Sequence, residues 1–169
     1  GDTTEALTPA IVAALHKGVD KLANVETYSG YCHEQGNTEL REALVKHYQK
    51  FNVNLKPEEF FVSDGAKPDT GNIQSIFAKN NIIAVQDPVY PVYVDTNVIA
   101  GRTGNVENGL YQGIVYMPCT EENNFFPNPP EQKVDIIYLC SPNNPTGMTA
   151  TKEQLEKFVA YAKTNKAVI

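Results

Sequence analysis

The sequence is poor in cysteine and in positive charge, and it has no long apolar run. Cys32, Cys119 and Cys140 form no close pair and are odd in number, which is typical of a reducing compartment and not of a secreted disulfide scaffold. Fourteen lysines and arginines against 20 acidic residues give a net charge of −6. This balance argues against nucleic-acid binding, because phosphate contacts need clustered positive charge. No stretch approaches the roughly 20 apolar residues that span a bilayer, and no basic-then-apolar leader opens the chain, so no membrane protein is predicted.

The histidines do not form a metal-binding pattern. His16, His33 and His47 lie in separate segments, and neither HExxH nor CxxC spacing occurs, so no metal site is predicted. The length of 169 residues and the 41% share of hydrophobic residues are ordinary for one globular domain that folds without disulfides or metals. The composition therefore favours a globular domain over a disordered or collagen-like chain.

Short apolar runs bounded by glycine, proline, aspartate or asparagine predict buried strands. They are residues 60–62, 82–85, 114–117 and 136–139. Because the runs are continuous and not alternating, both faces of the sheet should be covered, as in a mostly parallel sheet. A further strand is predicted at 166–169, where the sequence stops, so we interpret the chain as a fragment. The alternative is a short edge strand that happens to be terminal.

Helical signals lie between the predicted strands. Pro9 opens a first helix, a second surrounds Arg41, and Thr151 begins the capping box of a last one. Shorter helices are predicted after Pro68 and Pro91. The predicted fold class is therefore α/β, with three layers and a mostly parallel sheet between helices on both faces.

Three turns follow predicted strands at the edge where ligands of open α/β sheets bind. Residues 63–68 (SDGAKP) place backbone N–H groups at a helix start, which suits an anion. Residues 87–93 (DPVYPVY) hold Tyr90 between two prolines, where its ring could meet a planar ligand. Residues 141–147 (SPNNPTG) hold the Asn144 amide, which can donate to an anionic oxygen. Each turn alone could be structural, but together they predict a flat, phosphorylated ligand with a phenolate oxygen.

These motifs, with residues 31–36 (YCHEQG) upstream, resemble the class I/II aminotransferases of pyridoxal phosphate (PLP) fold type I, and the resemblance runs through nearly all 169 residues in order. It implies PLP as cofactor, amino acids and 2-oxo acids as substrates, and a homodimer with shared active sites. It also implies a cytoplasmic location, or a plastid one in a plant or alga. Residues 10–169 would be the N-terminal part of the cofactor-binding large domain, and residues 1–9 the remnant of an N-terminal arm.

The resemblance assigns cofactor contacts position by position. Ala66 and Lys67 would bind the PLP phosphate through their backbone N–H groups, with the Lys67 side chain also near the substrate. Tyr90 would stack on the PLP ring and contact the substrate, and Asn144 would donate to the phenolic oxygen. The peptide bonds before Pro88 and Pro145 would be cis.

Two further residues would act across the dimer. Tyr31 would reach the phosphate of the neighbouring subunit, and Glu34 would reach the substrate bound there. The Schiff-base lysine would lie downstream of residue 169. No catalytic residue is therefore expected in this chain, which alone should be inactive.

Some positions depart from the family pattern, namely Cys32, His33 and Pro68. These departures affect the prediction of the substrate more than the prediction of the cofactor. Glu34 favours a substrate with a second, distal ammonium group, and the alternative is an aminotransferase for aspartate, alanine or an aromatic amino acid. A non-catalytic module of the same fold is a further alternative. A nucleotide-binding domain is disfavoured, because no GxGxxG follows a strand.

Overall fold

The computed structural model describes residues 4–169. The chain divides into two compact units, Gly1–Ser63 and Asp64–Ile169. Five α-helices and five strands are numbered here along the chain. The helices are α1 (Pro9–Ala23), α2 (Thr38–Gln49), α3 (Ala66–Asn72), α4 (Val92–Ile99) and α5 (Lys152–Asn165). The strands are β1 (Ile83–Asp87), β2 (Val106–Glu107), β3 (Leu110–Tyr111), β4 (Ile114–Pro118) and β5 (Ile136–Tyr138).

The first unit contains α1, α2 and a short 3₁₀ helix at Pro57–Glu59. Both predicted helices are confirmed. Pro9 is the first residue of α1, where its missing N–H costs nothing. Asn37 caps α2, because its side-chain oxygen accepts a hydrogen bond from the backbone N–H of Leu40 at 3.1 Å.

The predicted strand at residues 60–62 is wrong, because this segment belongs to no sheet in the described part of the chain. Its backbone link to another segment is the bond from Val62 N–H to the Gln35 carbonyl at 3.0 Å. A strand needs a neighbouring strand to form a ladder. Apolar character alone therefore misled the prediction here, and Phe61 is 73% exposed.

The second unit is built on a parallel sheet in the order β4-β1-β5. β1 is central, with Ile83 opposite Ile114 on one side and Ile136 on the other. The three predicted strands in this unit are confirmed. At the outer side of β5, Val168 forms a single parallel bridge to Ile136, so the predicted strand at 166–169 is present as one bridged residue.

Both faces of this sheet are covered, which confirms the predicted three layers. Ala84 and Ile137 face a cluster that contains Phe158 of α5. Ile83 and Val85 face the opposite cluster, which α4 and the segment before β1 complete. Successive strand residues alternate between the two clusters because side chains in a strand point to alternate faces.

The helices of the second unit begin where their caps allow. In α5 the predicted capping box is confirmed, with Gln154 N–H donating to Thr151 Oγ1 at 3.2 Å and Thr151 N–H donating to Gln154 Oε1 at 2.8 Å. α3 starts at Ala66 and not at Pro68, which is its third residue. Proline is tolerated there because the first four N–H groups of a helix have no intrahelical partner.

A small antiparallel hairpin, β2 and β3, was not predicted. Its turn is Asn108-Gly109, and both residues have positive φ, 52° and 81°. The Asn-Gly pair is the sequence signal for such a hairpin. Across residues 4–169, no helix combines the length and apolarity needed to cross a bilayer.

Candidate functional site

The candidate site lies at the carboxyl ends of β1 and β5. Two of the three predicted turns begin there, at Asp87 and just after Tyr138, and the third leads into α3. The parallel arrangement puts the ends of adjacent strands at one edge of the sheet. Ala66, Lys67, Tyr90 and Asn144 all belong to this second unit.

The turn after β5 folds back on itself and presents Asn144 at its tip. The backbone N–H of Asn143 donates to the Met148 carbonyl at 2.8 Å, and Gly147 N–H donates to the Asn143 carbonyl at 2.6 Å. Gly147 has φ 74°, a conformation that favours glycine. Asn143 is 2% exposed, whereas Asn144 is exposed. The turn thus hides one asparagine and offers the next to solvent.

Proline bonds in these turns are cis. The predicted cis bonds, Asp87-Pro88 and Asn144-Pro145, are confirmed. Ser141-Pro142 is also cis, and this bond was not predicted. All three bonds lie in the turns after β1 and β5.

Side-chain amides join the turn after β5 to β1. At its base, the Cys140 N–H donates to Gln86 Oε1 at 2.7 Å. Nearer its tip, Asn143 Nδ2 donates to the Pro88 carbonyl at 3.2 Å. Pro88 is two residues before Tyr90, so these bonds bring the turns that carry Tyr90 and Asn144 together.

An aromatic row runs beneath Tyr90. The rings of Tyr90 and Tyr93 meet edge to face at 5.7 Å, and Tyr93 stacks on Tyr138 at 5.1 Å. The Tyr138 hydroxyl donates to the Thr70 carbonyl in α3 at 3.3 Å. The row therefore links the ends of β1 and β5 to α3, the helix that carries Lys67. Tyr90 itself is partly exposed.

The start of α3 is the segment for which an anion cradle is predicted. Gly65 precedes the helix with φ 139°, which a residue with a side chain rarely adopts. Ala66 and Lys67 are the first two helical residues and both are exposed. Their N–H groups belong to the four that a helix leaves without intrahelical partners, and such groups bind anions.

Burial changes the acidity of two groups near the strand ends. Burial raises the pKa of Tyr93, and the neighbouring Cys140 adds to the shift. Burial also raises the pKa of the Cys119 thiol, although hydrogen bonds from Asp87 and Gln86 act in the opposite direction. Both groups are consequently neutral at physiological pH.

Tyr31 and Glu34 lie in the first unit and are exposed. Glu34 stands in a fixed turn, because Gln35 Nε2 donates to the Glu58 carbonyl at 3.1 Å and Gly36 N–H donates to the His33 carbonyl at 2.8 Å. Gly36 has φ 100°, and an added Cβ there would lie 2.5 Å from Val62 Cβ. The turn is therefore specified by glycine.

A buried arginine supports the same turn. Arg41 is 7% exposed, and its Nε donates to the Gly36 carbonyl at 3.2 Å. A terminal nitrogen of Arg41 donates to the Pro57 carbonyl, also at 3.2 Å. The guanidinium thus ties the start of α2 to the following segment and orients the turn that carries Glu34.

Sequence reasoning missed the residues that support the site, namely Gln86, Tyr93, Tyr138 and Asn143. Signals for two of them exist. Gln86 is an amide that directly follows the apolar run 82–85, and Asn143 stands directly before Asn144. For the tyrosines no short motif distinguishes a supporting ring from a core ring.

The groups offered at these turns suit PLP by their chemistry. Backbone N–H groups and the Lys67 ammonium can bind a phosphate, a partly exposed tyrosine ring can meet a pyridine ring, and an exposed amide can donate to a phenolic oxygen. Each of these groups is accessible, while the residues that hold their turns are buried or partly buried. The donor set therefore fits the cofactor that the resemblance implies.

The fold and the candidate site define an open α/β protein that presents polar turns at the carboxyl ends of parallel strands. The model of the family aminotransferase class I and II matches residues 1–169. The chain therefore belongs to this family.

Individual relatives agree with that assignment. The chain is 55% identical to the LL-diaminopimelate aminotransferase of Desulfotalea psychrophila and 55% identical to that of Methanosphaera stadtmanae, in both cases over its full length and 42% of the relative. The solved structure of the enzyme from Chlamydomonas reinhardtii matches with a TM-score of 0.88 and 44% identity, over 98% of this chain and 41% of that one. The chain thus spans about 42% of the length of the curated relatives that it matches.

Proposed function

We propose that the complete protein is a PLP-dependent aminotransferase that moves an amino group between LL-diaminopimelate, or its cyclic precursor, and 2-oxoglutarate or glutamate. The supporting observation is the 55% identity to LL-diaminopimelate aminotransferases across the full chain. The site geometry agrees with it, because the turns that carry Tyr90 and Asn144 are joined by hydrogen bonds.

In this proposal the chain's own residues bind and orient the cofactor. Ala66 and Lys67 hold the phosphate, Tyr90 lies against the ring, and Asn144 donates to the phenolic oxygen. PLP, when bound, supplies the electron sink for the reaction. The amide bonds of Gln86 and Asn143 and the tyrosine row keep these groups in place before the ligand arrives, which reduces the ordering cost of binding.

We further propose a cytoplasmic or plastid homodimer in which Tyr31 and Glu34 serve the neighbouring active site. Tyr31 is fully exposed in the described chain, which leaves its hydroxyl available to another subunit. Glu34 is exposed on a turn that Gly36 and Arg41 fix. A carboxylate at that position suits the distal ammonium group of LL-diaminopimelate, because a hydrogen bond between two charged groups is stronger than one between neutral groups.

The proposal is tested by the amino-donor preference of the full-length protein. We expect transamination of LL-diaminopimelate to exceed that of aspartate, alanine and aromatic amino acids by at least about tenfold in kcat/KM, the value of one charged hydrogen bond. The isolated 169-residue chain serves as the negative control. Preference for aspartate would favour the alternative family member, and absence of transamination with every donor would favour a non-catalytic module.

Glu34 provides the matching variant. Glu34→Gln should lower kcat/KM for LL-diaminopimelate by about 10- to 100-fold, because a charge-assisted contact is lost. Turnover of donors without a distal ammonium should change little. Glu26→Gln, an exposed glutamate of the same unit, is the control for the loss of one negative charge. Equal losses for all donors would contradict the role given to Glu34.

A further inference from the structure

Asn143 has a polar environment unlike that of its exposed neighbour. It is 2% exposed, and its amide nitrogen donates two hydrogen bonds, to the Pro88 carbonyl at 3.2 Å and to Thr146 Oγ1 at 3.1 Å. A carbonyl oxygen can only accept. The amide orientation is therefore fixed by its partner, because turning the amide over would set oxygen against oxygen.

The bond to Pro88 crosses between the two turns that carry the predicted cofactor contacts. Asn144 follows Asn143 directly, and Tyr90 follows Pro88 by two residues. Within the turn after β5, the Asn143 backbone makes bonds to Gly147 and Met148. A shift of this side chain would consequently move the tip of the turn as one piece relative to Tyr90.

We infer that Asn143 is a positioning residue that holds the Asn144 amide at the phenolic oxygen of the cofactor. This inference rests on the proposed function and deepens it. The amide hydrogens of Asn143 are both engaged by the protein, so its effect on the cofactor is indirect, through the position of the turn that carries Asn144. The role is a matter of geometry, and a misplacement near 1 Å at such a contact is costly.

The test measures how strongly the full-length apo protein prefers PLP over 3-deoxypyridoxal 5′-phosphate, which lacks only the phenolic oxygen. The readout is the ratio of the two dissociation constants, so it reports one contact and not overall activity. In the wild-type protein this ratio should be about 10 to 100, the value of a hydrogen bond to a charged oxygen. Asn144→Ala should bring it close to unity.

The informative variant is Asn143→Leu, which keeps the side-chain shape and introduces no charge. It should reduce the ratio by about tenfold. The double variant Asn143→Leu with Asn144→Ala should have the same ratio as Asn144→Ala alone, because both changes remove the same contact. A variant that only destabilises the fold would weaken both ligands alike. Asn143→Ala, with the same expected result, replaces the leucine variant if that one does not fold.

Asn123 supplies the matched control. Its Nδ2 also donates to a proline carbonyl, that of Pro118, at 2.7 Å, but its turn carries none of the predicted cofactor contacts. Asn123→Leu should leave the ratio at the wild-type value.

Three results would count against the scheme, and they differ. A folded Asn143→Leu protein with the wild-type ratio overturns the inference about Asn143 alone. Wild-type protein that binds PLP without preferring it over the deoxy compound overturns both asparagine assignments and leaves the aminotransferase proposal standing. Wild-type protein that binds neither compound overturns the proposed function.

Discussion

The two units of this chain carry equally regular helices but very different cores. In the second unit, twelve hydrophobic residues are buried, and all of them lie between Ile83 and Phe158. In the described part of the first unit, Arg41 is the buried side chain. No residue of α1 is buried, although its apolar residues recur at helical spacing.

This difference between the units shows which structural features the apolar periodicity of a helix can predict and which it cannot. The apolar spacing of α1 defines a face, with Ile11, Leu15 and Leu22 exposed by 49%, 56% and 54%. It does not define the surface that the face contacts. The parallel strands differ in this respect. Each is hydrogen-bonded to a neighbouring strand, and the helices on the two sides of the sheet bury its faces. A core therefore forms where strands pair within the unit and helices cover both faces of the sheet.

The largest expected effect is the loss of Phe158, which is 1% exposed and packs edge to face on Phe126. Phe158→Ala should lower the free energy of unfolding by about 3–5 kcal/mol, because it removes buried area and leaves a cavity. The measurement is urea unfolding followed by circular dichroism. Leu15→Ala on α1 should cost about 1 kcal/mol or less in the same polypeptide, since Leu15 is more than half exposed.

The contrast between these two variants tests the comparison of the units. Equal losses for Phe158→Ala and Leu15→Ala would mean that the face of α1 is as well packed as the sheet. The contrast between a buried core in the second unit and an exposed face on α1 would then be wrong.

A smaller effect is expected at Gly36, whose backbone lies close to Val62. Gly36→Ala should cost about 2–4 kcal/mol, because alanine disfavours φ 100° and its Cβ would overlap Val62. Gly18→Ala in α1 is the control: it has open space around it and should stabilise the helix by about 0.5–1 kcal/mol. A harmless Gly36→Ala would show that the turn carrying Glu34 is not fixed by this contact.

Much of the fold was predictable, and the wrong prediction of a strand at 60–62 has a physical cause. The strands of the parallel sheet were found because both of their faces are buried, so their apolar runs are uninterrupted. The segment 60–62 has the same composition but no neighbouring strand among the described residues. Composition records a preference for burial, whereas a strand also requires a partner with free backbone groups.

In the candidate site, too, the features with a local sequence signal were predicted and the long-range contacts were not. Glycine, proline and asparagine marked the turns because those residues have special backbone and hydrogen-bonding properties, and the predicted cis bonds at Pro88 and Pro145 followed the resemblance. The supporting contacts of Gln86 and Asn143 span 54 and 55 residues. Such long-range pairs depend on strand order, which no local pattern encodes.

The caps of α5 and α1 give a finer comparison. Thr151 accepts a hydrogen bond from Gln154 N–H, and Thr151→Ala should therefore cost about 1 kcal/mol. Thr8 occupies the same position before α1 but makes no side-chain capping bond, so Thr8→Ala should cost only a few tenths of a kcal/mol at most. The measurement is again urea unfolding. A larger loss at Thr8 would contradict the geometry of the α1 start.

The smallest expected effect is a pH dependence that belongs to the second unit. Burial raises the pKa of Cys119, so the folded protein keeps this thiol protonated where the unfolded chain, with an ordinary value near 8.5, begins to lose the proton. Stability is then fully present below about pH 8.5 and falls as the pH rises above it. Between pH 7.5 and 9.5 the loss should be up to about 1 kcal/mol, and Cys119→Val should remove most of it. Cys32→Ala, in the exposed part of the first unit, controls for thiol oxidation. An alkaline loss that persists unchanged in Cys119→Val would assign it to another group.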